Sequence, residues 1–219
     1  MIHLVDLEKS FLSSQGRHVV LHRTNLSIPS DMRIGVLGMN GAGKSTLLNM
    51  IAGSEPPTAG RVYRECRCSW PLGFAGSFQP NLTGIENILF AARVYGVDGD
   101  DAVAFASEFA ELGEYINMPV RTYSAGMKAR LAFGLSLAID FDIYLVDEIT
   151  AVGDRRFQEK CRKAFAERTS KSGLCFVSHN EANIRALCDI ALVLHNGYLV
   201  PFEDLESALE YYGSIMRIE

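Results

Sequence analysis

The segment from Arg33 to Ala52 reads RIGVLGMNGAGKSTLLNMIA. Its first part, Arg33–Leu37, is a short apolar run that predicts a buried strand. The run enters a glycine-rich turn, and the apolar spacing from about Gly43 to Ala52 predicts a helix. A strand that enters a helix in this way recurs later in the chain. There the alternation of the strand Phe141–Val146, the helix Phe157–Thr169 and the strand Leu174–Val177 predicts a parallel βαβ sheet and with it an α/β fold.

The turn itself, Gly38-Met39-Asn40-Gly41-Ala42-Gly43-Lys44-Ser45, matches the phosphate-binding loop pattern GxxxxGK[ST] in the context that the motif requires. Glycines let main-chain N–H groups turn inward around phosphates, and the helix N-terminus adds a positive dipole end. Lys44 would bring charge to the outer phosphates, and the Ser45 hydroxyl would ligate Mg²⁺. The alternative is an ordinary glycine-rich turn with a solvent-facing lysine. The residues predicted to bind nucleotide here are Gly38, Asn40, Gly41, Ala42, Gly43, Lys44, Ser45 and Thr46.

Outside this segment the apolar pattern predicts three kinds of structure. Ile2–Leu7 and Val19–Ile28 alternate like antiparallel strands, the middle of the chain has helical spacing, and the region after residue 140 alternates between strands and helices. No repeat or flexible linker interrupts the chain. We therefore predict one domain over residues 1–219, with a helical lobe at about residues 80–140.

Composition and charge exclude several classes of protein. The 219 residues are 48% hydrophobic, which favours a folded core, and the net charge of -5 gives no broad basic field for nucleic acid. Asp6 lies where a signal peptide would carry positive charge, and Asp140 and Asp142 interrupt the longest apolar region. The five cysteines lack CxxC spacing, which argues against a disulfide framework or structural zinc site. We expect a soluble protein with reduced cysteines in the cytoplasm.

Two carboxylates, Asp147 and Glu148, follow the apolar run Ile143–Val146. Successive strand side chains point to opposite faces, so the two groups can serve different tasks. We predict that Asp147 holds the Mg²⁺ shell and that Glu148 acts as the general base that polarises the attacking water. Taken alone, such a pair is more often a solvated turn; a phosphate loop in the same chain reverses that preference.

The segment Tyr123-Ser124-Ala125-Gly126-Met127 precedes a predicted helix, for which Ser124 offers an N-cap hydroxyl. At this point the chain resembles the ATP-binding-cassette (ABC) ATPases, whose Leu-Ser-Gly-Gly-Gln signature occupies this place between the phosphate loop and the Asp-Glu strand. The resemblance implies a P-loop NTPase (RecA-like) core with an antiparallel β subdomain and an inserted α-helical subdomain. It also implies that Ser124 and Gly126 contact nucleotide phosphate, whereas Tyr123 differs from the signature and is treated as packing.

Further family elements follow in the expected order. Asp154 resembles the D-loop aspartate that communicates across a dimer of cassettes. His179 resembles the switch histidine that contacts the γ-phosphate, and it follows a buried strand at the edge where open α/β sheets bind ligands. A histidine that caps a strand–helix turn is the alternative for this position.

Two positions have weaker support from the pattern. Phe11 lies where the family carries an aromatic side chain that stacks on adenine, and a core phenylalanine at a strand end is the alternative. Gln79 is the candidate for the glutamine that completes Mg²⁺ coordination and signals to the membrane partner. It lies closer to Leu82-Thr83 than the common family spacing.

A finer resemblance comes from Asp147-Glu148-Ile149-Thr150-Ala151-Val152-Gly153-Asp154, with Ile149 where most ABC ATPases have proline, and from Phe78-Gln79-Pro80-Asn81-Leu82-Thr83. These segments are similar to the polysaccharide-export ATPases, and the short C-terminal region after Gly213 resembles the capsular polysaccharide exporters of Gram-negative bacteria. The implied protein binds ATP and Mg²⁺ as a homodimer. It lies peripherally on the cytoplasmic face of the inner membrane, where a separate integral membrane permease docks on the lobe near Phe78–Val97.

Two other classes compete with this interpretation. A soluble ABC ATPase acting on nucleic acid or ribosomes usually has two cassettes or long coiled-coil insertions, and neither pattern is visible in the sequence. An unrelated kinase or GTPase is the second alternative. The guanine motif Asn-Lys-x-Asp is absent from the sequence, and a kinase would not need the Ser124 segment.

Overall fold

A computed structural model describes residues 1–14, 16–72, 78–147 and 154–217. In these ranges the chain forms nine strands and seven α-helices. The strands are β1 Ile2–Ser13, β2 Gly16–Ile28, β3 Arg33–Leu37, β4 Ala59–Arg64, β5 Cys68–Pro71, β6 Ile143–Asp147, β7 Gly173–Val177, β8 Ile190–His195 and β9 Tyr198–Pro201. The helices are α1 Lys44–Ala52, α2 Gly84–Tyr95, α3 Gly99–Ala110, α4 Ala125–Ala138, α5 Arg155–Thr169, α6 Glu181–Leu187 and α7 Leu205–Met216.

The described strands form two sheets. A three-stranded antiparallel sheet has the order β2-β1-β4, and a six-stranded sheet has the order β5-β6-β7-β3-β8-β9. In the larger sheet the pairs from β5 to β8 are parallel, and only the β8–β9 hairpin is antiparallel. The predicted α/β class with an antiparallel part is therefore confirmed, and the larger sheet is parallel because its strands are linked by helical crossovers.

The chain divides into two compact units. The first consists of Met1–Pro71, Phe141–Glu148 and Lys171–Glu219, and the second of Leu72–Asp140 and Ile149–Ser170. The predicted helical lobe at about 80–140 falls inside the second unit, which also contains α5.

The core of the first unit is apolar and continuous. Side chains of the antiparallel sheet, of α1 and of the parallel strands pack into one cluster, in which Ile2, Ile51 and Leu145 are fully buried. Burial of apolar surface contributes about 25 cal/mol per Å², so this cluster is the main reason that α1 stays fixed against the sheet. The N-terminus of α1 is thereby held at one edge of the sheet.

The second unit is built from α2 to α5. Gly134 of α4 approaches α3 closely, since a Cβ at this position would lie 3.1 Å from the carbonyl oxygen of Ala106. Aromatic rings fill the space beside this contact, with Phe109 stacked on Phe133 at 5.9 Å and edge-on to Phe157 at 5.7 Å. Within the described residues, no helix is long and apolar enough to cross a membrane.

A buried asparagine fixes the loop that enters α2. Asn87 is 4% exposed. Its Oδ1 accepts the Gln79 N–H at 2.8 Å, and its Nδ2 donates to the carbonyls of Gln79, Leu82 and Thr83 at 3.1, 3.3 and 2.9 Å. Thr83 and Glu86 form a capping box at the same helix start. The buried Asn87 side chain therefore fixes the loop from the inside, and the Thr83–Glu86 capping box fixes the helix start at the surface.

We expect Asn87→Ala to lower the free energy of unfolding by about 1–3 kcal/mol, because it leaves buried main-chain groups unpaired. Urea unfolding followed by a probe in the second unit measures the change. Asn117→Ala is the matched control, since Asn117 is exposed and its amide lies 3.5 Å from Glu114. Equal losses in both variants would contradict this role of Asn87.

Candidate functional site

A cavity of about 280 Å³ opens at the carboxyl edge of the parallel sheet. The adjacent strands β6, β7 and β3 all end at this edge, because parallel strands point the same way. The lining residues are Asn40, Gly41, Gly43, Lys44, Ser45, Thr46, Asp147, Val177, Ser178 and His179. The structure thus brings together the predicted phosphate loop, the predicted magnesium ligand and the predicted switch histidine.

The backbone of the loop requires glycine at two positions. Gly41 has φ 82° and Gly43 has φ 100°, which is left-handed backbone that favours glycine. At Gly43 a Cβ would also lie 2.1 Å from Cγ1 of Val20 in β2. Gly43 is the N-cap of α1 and makes no side-chain capping bond, so the first-turn N–H groups of the helix face the cavity edge without a cap.

Lys44 is held inside this loop by main-chain oxygens. Its side chain is only 9% exposed, and Nζ donates to the carbonyls of Gly38 at 2.7 Å and Met39 at 2.8 Å. The alternative of a solvent-facing lysine is therefore wrong. The carbonyls compensate the buried charge and fix the ammonium group at the cavity wall.

Asp147 and His179 also line the cavity. Asp147 ends β6 and pairs in register with Val177, which ends β7. Two residues further on, His179 is exposed on the cavity, while the buried Ser178 accepts the Asn180 N–H at 3.0 Å and so fixes the turn into α6. Glu148, the predicted general base, lies outside the described residues.

The lining groups of this cavity fit a nucleoside triphosphate with a divalent cation. The loop and the start of α1 offer an ammonium group, helix N–H groups and the hydroxyls of Ser45 and Thr46, all of which suit phosphate oxygens. The end of β6 offers the carboxylate of Asp147, which is a hard oxygen ligand of the kind that Mg²⁺ prefers.

Ser124 and Gly126 belong to the second unit. As predicted, Ser124 is the N-cap of α4, and its Oγ accepts the Met127 N–H at 3.2 Å. Both residues are exposed, and a Cβ on Gly126 would have only the Ser124 Oγ, at 3.9 Å, within 4 Å. The first turn of α4 therefore presents its hydroxyl and main chain at the surface of this unit, with open space beside Gly126.

Asp154 also lies in the second unit and is the N-cap of α5. Its Oδ1 accepts the Phe157 N–H at 2.9 Å, and its Oδ2 lies 3.4 Å from the Arg130 guanidinium on α4. The Phe157 hydrogen bond is the main reason that the pKa of Asp154 is lowered, with smaller contributions from Arg130 and Arg156. The carboxylate is therefore ionised at neutral pH and connects the start of α5 with α4.

The two weaker predictions have different outcomes. Phe11 is 43% exposed near the end of β1, with the Lys9 ammonium 4.6 Å from its ring, so the alternative of a core phenylalanine is wrong. The described lining of the cavity does not include Phe11, and its contact with adenine stays a prediction. Gln79 is exposed on the loop that Asn87 fixes in the second unit, and its metal role also stays a prediction.

Val20 and Asn87 make contacts that no local sequence pattern indicates, and the same holds for the buried hydroxyl of Tyr123. Val20 comes from the antiparallel sheet, and its methyl group excludes any Cβ at Gly43. Asn87 follows a capping-box signature, but a buried amide that binds the preceding loop has no signature of its own. The Val20 contact joins segments that are distant in sequence, whereas Asn87 binds the loop just before it.

The sequence profile of the ABC transporter family matches residues 21–151. Among similar proteins, the capsule polysaccharide export ATP-binding protein CtrD of Neisseria meningitidis serogroup B is 48% identical, and the match covers 98% of this chain and 100% of CtrD. ATP-binding protein BexA of Haemophilus influenzae is 45% identical over 99% of this chain and 100% of BexA. The polysialic acid transport ATP-binding protein KpsT of Escherichia coli is 46% identical over 97% of this chain and 96% of KpsT.

Solved structures share the fold at lower identity. A dimeric ATP-binding cassette in a post-hydrolysis state, bound to ADP and Pi, aligns with a TM-score of 0.74 at 22% identity and covers 94% of this chain and 99% of its own. The ATP-binding subunit of an ABC transporter aligns with a TM-score of 0.73 at 20% identity and covers 97% of this chain and 93% of its own. The P-loop NTPase fold is therefore confirmed.

We expect Lys44→Ala to weaken ATP binding about 10- to 100-fold, since a charged donor to phosphate is removed. Equilibrium titration with a fluorescent ATP analogue measures the affinity. Lys163→Ala is the control, because Lys163 is 77% exposed on α5 of the other unit. An affinity that Lys44→Ala leaves at the wild-type value would exclude Lys44 from the phosphate site.

Proposed function

The chain belongs to the ABC transporter family, and we propose that it powers the export of a capsular polysaccharide through a separate membrane permease. It is an ATP hydrolase of the ABC type. The observation that carries the proposal is the likeness to CtrD and KpsT, named for capsule polysaccharide export and polysialic acid transport, which extends over nearly the whole length of both chains. The cavity supports it, since the proposed phosphate-binding, cation-binding and switch positions all line it.

The triphosphate of ATP would lie in the loop from Gly38 to Thr46, with Lys44 beside its outer phosphates. Mg²⁺ would be held by the Ser45 hydroxyl and the Asp147 carboxylate, and it supplies charge neutralisation for phosphoryl transfer when bound. Gln79 is the proposed additional ligand. Asn87 fixes the main chain of Gln79 by two hydrogen bonds. The exposed side chain of Gln79 would then be able to respond to a nucleotide or to a partner protein.

Glu148 is the proposed general base, which accepts a proton from the attacking water. His179 would donate a hydrogen bond to the γ-phosphate from the turn that Ser178 fixes. Because phosphoryl transfer depends mainly on positioning and charge stabilisation, the rigid strand ends of β6 and β7 would contribute by holding these groups at one edge.

The complete site would need two copies of the chain. The sequence has one phosphate-loop motif and one Ser124 segment, and the family places these on opposite faces of the domain. Ser124 and Gly126 of one copy would therefore close the nucleotide held by the other, and the exposed first turn of α4 supports this role. Asp154 would lie at the seam between the copies.

The permease would dock on the lobe near Phe78–Val97. On α2, Phe90 is 56% exposed and Val94 is 62% exposed, and their spacing of one helical turn places them on one face. Exposed apolar side chains of this size are typical of protein–protein contacts. A chain docked on such a permease would lie on the cytoplasmic face of the inner membrane. A role on nucleic acid or ribosomes is not favoured, because CtrD and KpsT are named for polysaccharide export and polysialic acid transport.

We expect Glu148→Gln to lower the ATP hydrolysis rate by about 100-fold or more, since a general base is lost, while ATP binding and ATP-dependent dimerisation persist. Phosphate release and size-exclusion chromatography with MgATP measure the two properties. Glu203→Gln, an exposed position at the end of the hairpin region, is the control. Retained turnover in Glu148→Gln would remove this residue from the mechanism.

The export function is tested by expressing the chain with and without a permease from a polysaccharide exporter. We expect the chain to sediment with membranes only when the permease is present, because the docking surface is the lobe. Co-sedimentation with ribosomes or DNA, without membrane association, would instead support the non-transport class.

A further inference from the structure

Tyr123 directly precedes Ser124 and is buried. The Leu-Ser-Gly-Gly-Gln signature of the ABC ATPases has leucine at this position. The side chain of Tyr123 is 5% exposed, and its hydroxyl donates to the carbonyl of Tyr115 at 2.7 Å. Its main-chain N–H donates to the carbonyl of Val120 at 3.0 Å. Tyr123 is therefore anchored at both its backbone and its hydroxyl, directly beside the N-cap serine.

The same hydroxyl also reaches the first residue of α2. A Cβ on Gly84 would lie 2.6 Å from the Tyr123 oxygen and 2.8 Å from Cδ1 of Ile116, so only glycine fits beneath the phenol. The hydroxyl therefore packs directly against the main chain at the start of α2.

Main-chain pairing joins the same two segments a second time. The N–H of Arg121 donates to the carbonyl of Pro80 at 2.8 Å, and the N–H of Val120 donates to the carbonyl of Leu82 at 2.9 Å. Thr83 and Pro119 form an antiparallel bridge between these bonds and α2. The loop that carries Gln79 is thus paired directly with the segment that leads into Ser124.

We refer to residues 79–87 and 115–124 as the Ser124 block. In this block Asn87 hydrogen-bonds to the loop from Gln79 to Thr83, and the Tyr123 hydroxyl donates to the Tyr115 carbonyl. Both contacts use a buried polar side chain whose hydrogen bonds are satisfied. Breaking such hydrogen bonds costs free energy, because the buried groups are left without partners. The two segments are therefore expected to move together.

We propose that Tyr123 is a positioning residue, whose hydroxyl holds Ser124 and the Gln79 loop in one rigid block. The proposal rests on the proposed function, in which Ser124 contacts the nucleotide of the partner copy. A change at Gln79 would then be passed to Ser124 without an intervening flexible segment. A leucine at position 123 would fill space but could not hydrogen-bond to Tyr115.

The protonation state of the phenol suits this role. Burial raises the pKa of Tyr123 above its usual value of 10, and the nearby main chain of Gly84 lowers it by a smaller amount. The hydroxyl therefore stays protonated near neutral pH and remains able to donate to the Tyr115 carbonyl.

The rigid block is tested by amide hydrogen exchange on the full chain with Tyr123→Phe, which keeps the ring and removes only the hydroxyl. We expect exchange in both 79–87 and 115–124 to accelerate about 3- to 10-fold, the range that one net hydrogen bond supplies. Tyr115→Phe is the matched control, since Tyr115 contributes its carbonyl and its ring is 56% exposed. Acceleration confined to 115–124, or no acceleration, would overturn the proposal.

The wild-type chain gives a check that needs no variant. If the block opens as one unit, the amides of Gln79, Val120 and Arg121, which are all hydrogen-bonded within it, exchange through a shared opening with the same dependence on urea. A different dependence for Gln79 than for the other two amides would overturn the proposal, whether or not Tyr123→Phe folds.

The effect on Ser124 is measured in the Glu148→Gln background with MgATP. Tyr123→Phe should weaken ATP-dependent dimerisation about 3- to 10-fold, whereas ATP affinity of the dilute chain should stay within about twofold of wild type. Unchanged dimerisation, or an equal loss in ATP affinity, would overturn the positioning role. Failure of the parent Glu148→Gln chain to dimerise with MgATP would instead contradict the proposed function, and hydrogen exchange would still decide the block.

Discussion

The loop between β3 and α1 holds the positive charge of Lys44 at the wall of the cavity. The shape of the loop follows from the need to satisfy this charge. A nearly buried ammonium group needs oxygen partners, and the carbonyls of Gly38 and Met39 supply them at hydrogen-bond distance. The loop that carries these carbonyls ends in left-handed backbone at Gly43, where a Cβ would lie 2.1 Å from Cγ1 of Val20. The antiparallel sheet therefore takes part in shaping the proposed phosphate site, although the described lining of the cavity contains none of its residues.

The two compact units use different chemistry. In the first, the phosphate-loop motif and the strand ends line a cavity that contains both an ammonium group and a carboxylate. In the second, helix starts carry the proposed functional positions, and Ser124 and Asp154 each cap a helix. A capping side chain fixes its own backbone, so these positions are set by local geometry and reinforced by buried contacts such as those of Tyr123 and Asn87.

Many elements could be predicted because their signals are local. Arg33–Leu37 and the helix from Ser124 follow from an apolar run and an N-cap, and both are observed within a residue or two of the predicted bounds. The strands β4 and β5 were not predicted. β4 is an almost entirely exposed strand, and β5 is only four residues long, so neither has the apolar alternation of a half-buried strand. Both are ordered by pairing with strands from distant parts of the chain.

The sequence by itself determined the chemistry of the loop, the alternation of strands and helices in the parallel sheet and the helix start at Ser124. Such features depend on backbone sterics and on spacing between neighbouring residues, which any short segment carries with it. Only the tertiary structure decided that Val20 packs against Gly43, that Asp147 pairs in register with Val177, and that the Tyr123 hydroxyl packs against Gly84. Partners in these contacts are chosen by the packing of remote segments, and no periodicity in one segment specifies which atom of another will fill the space.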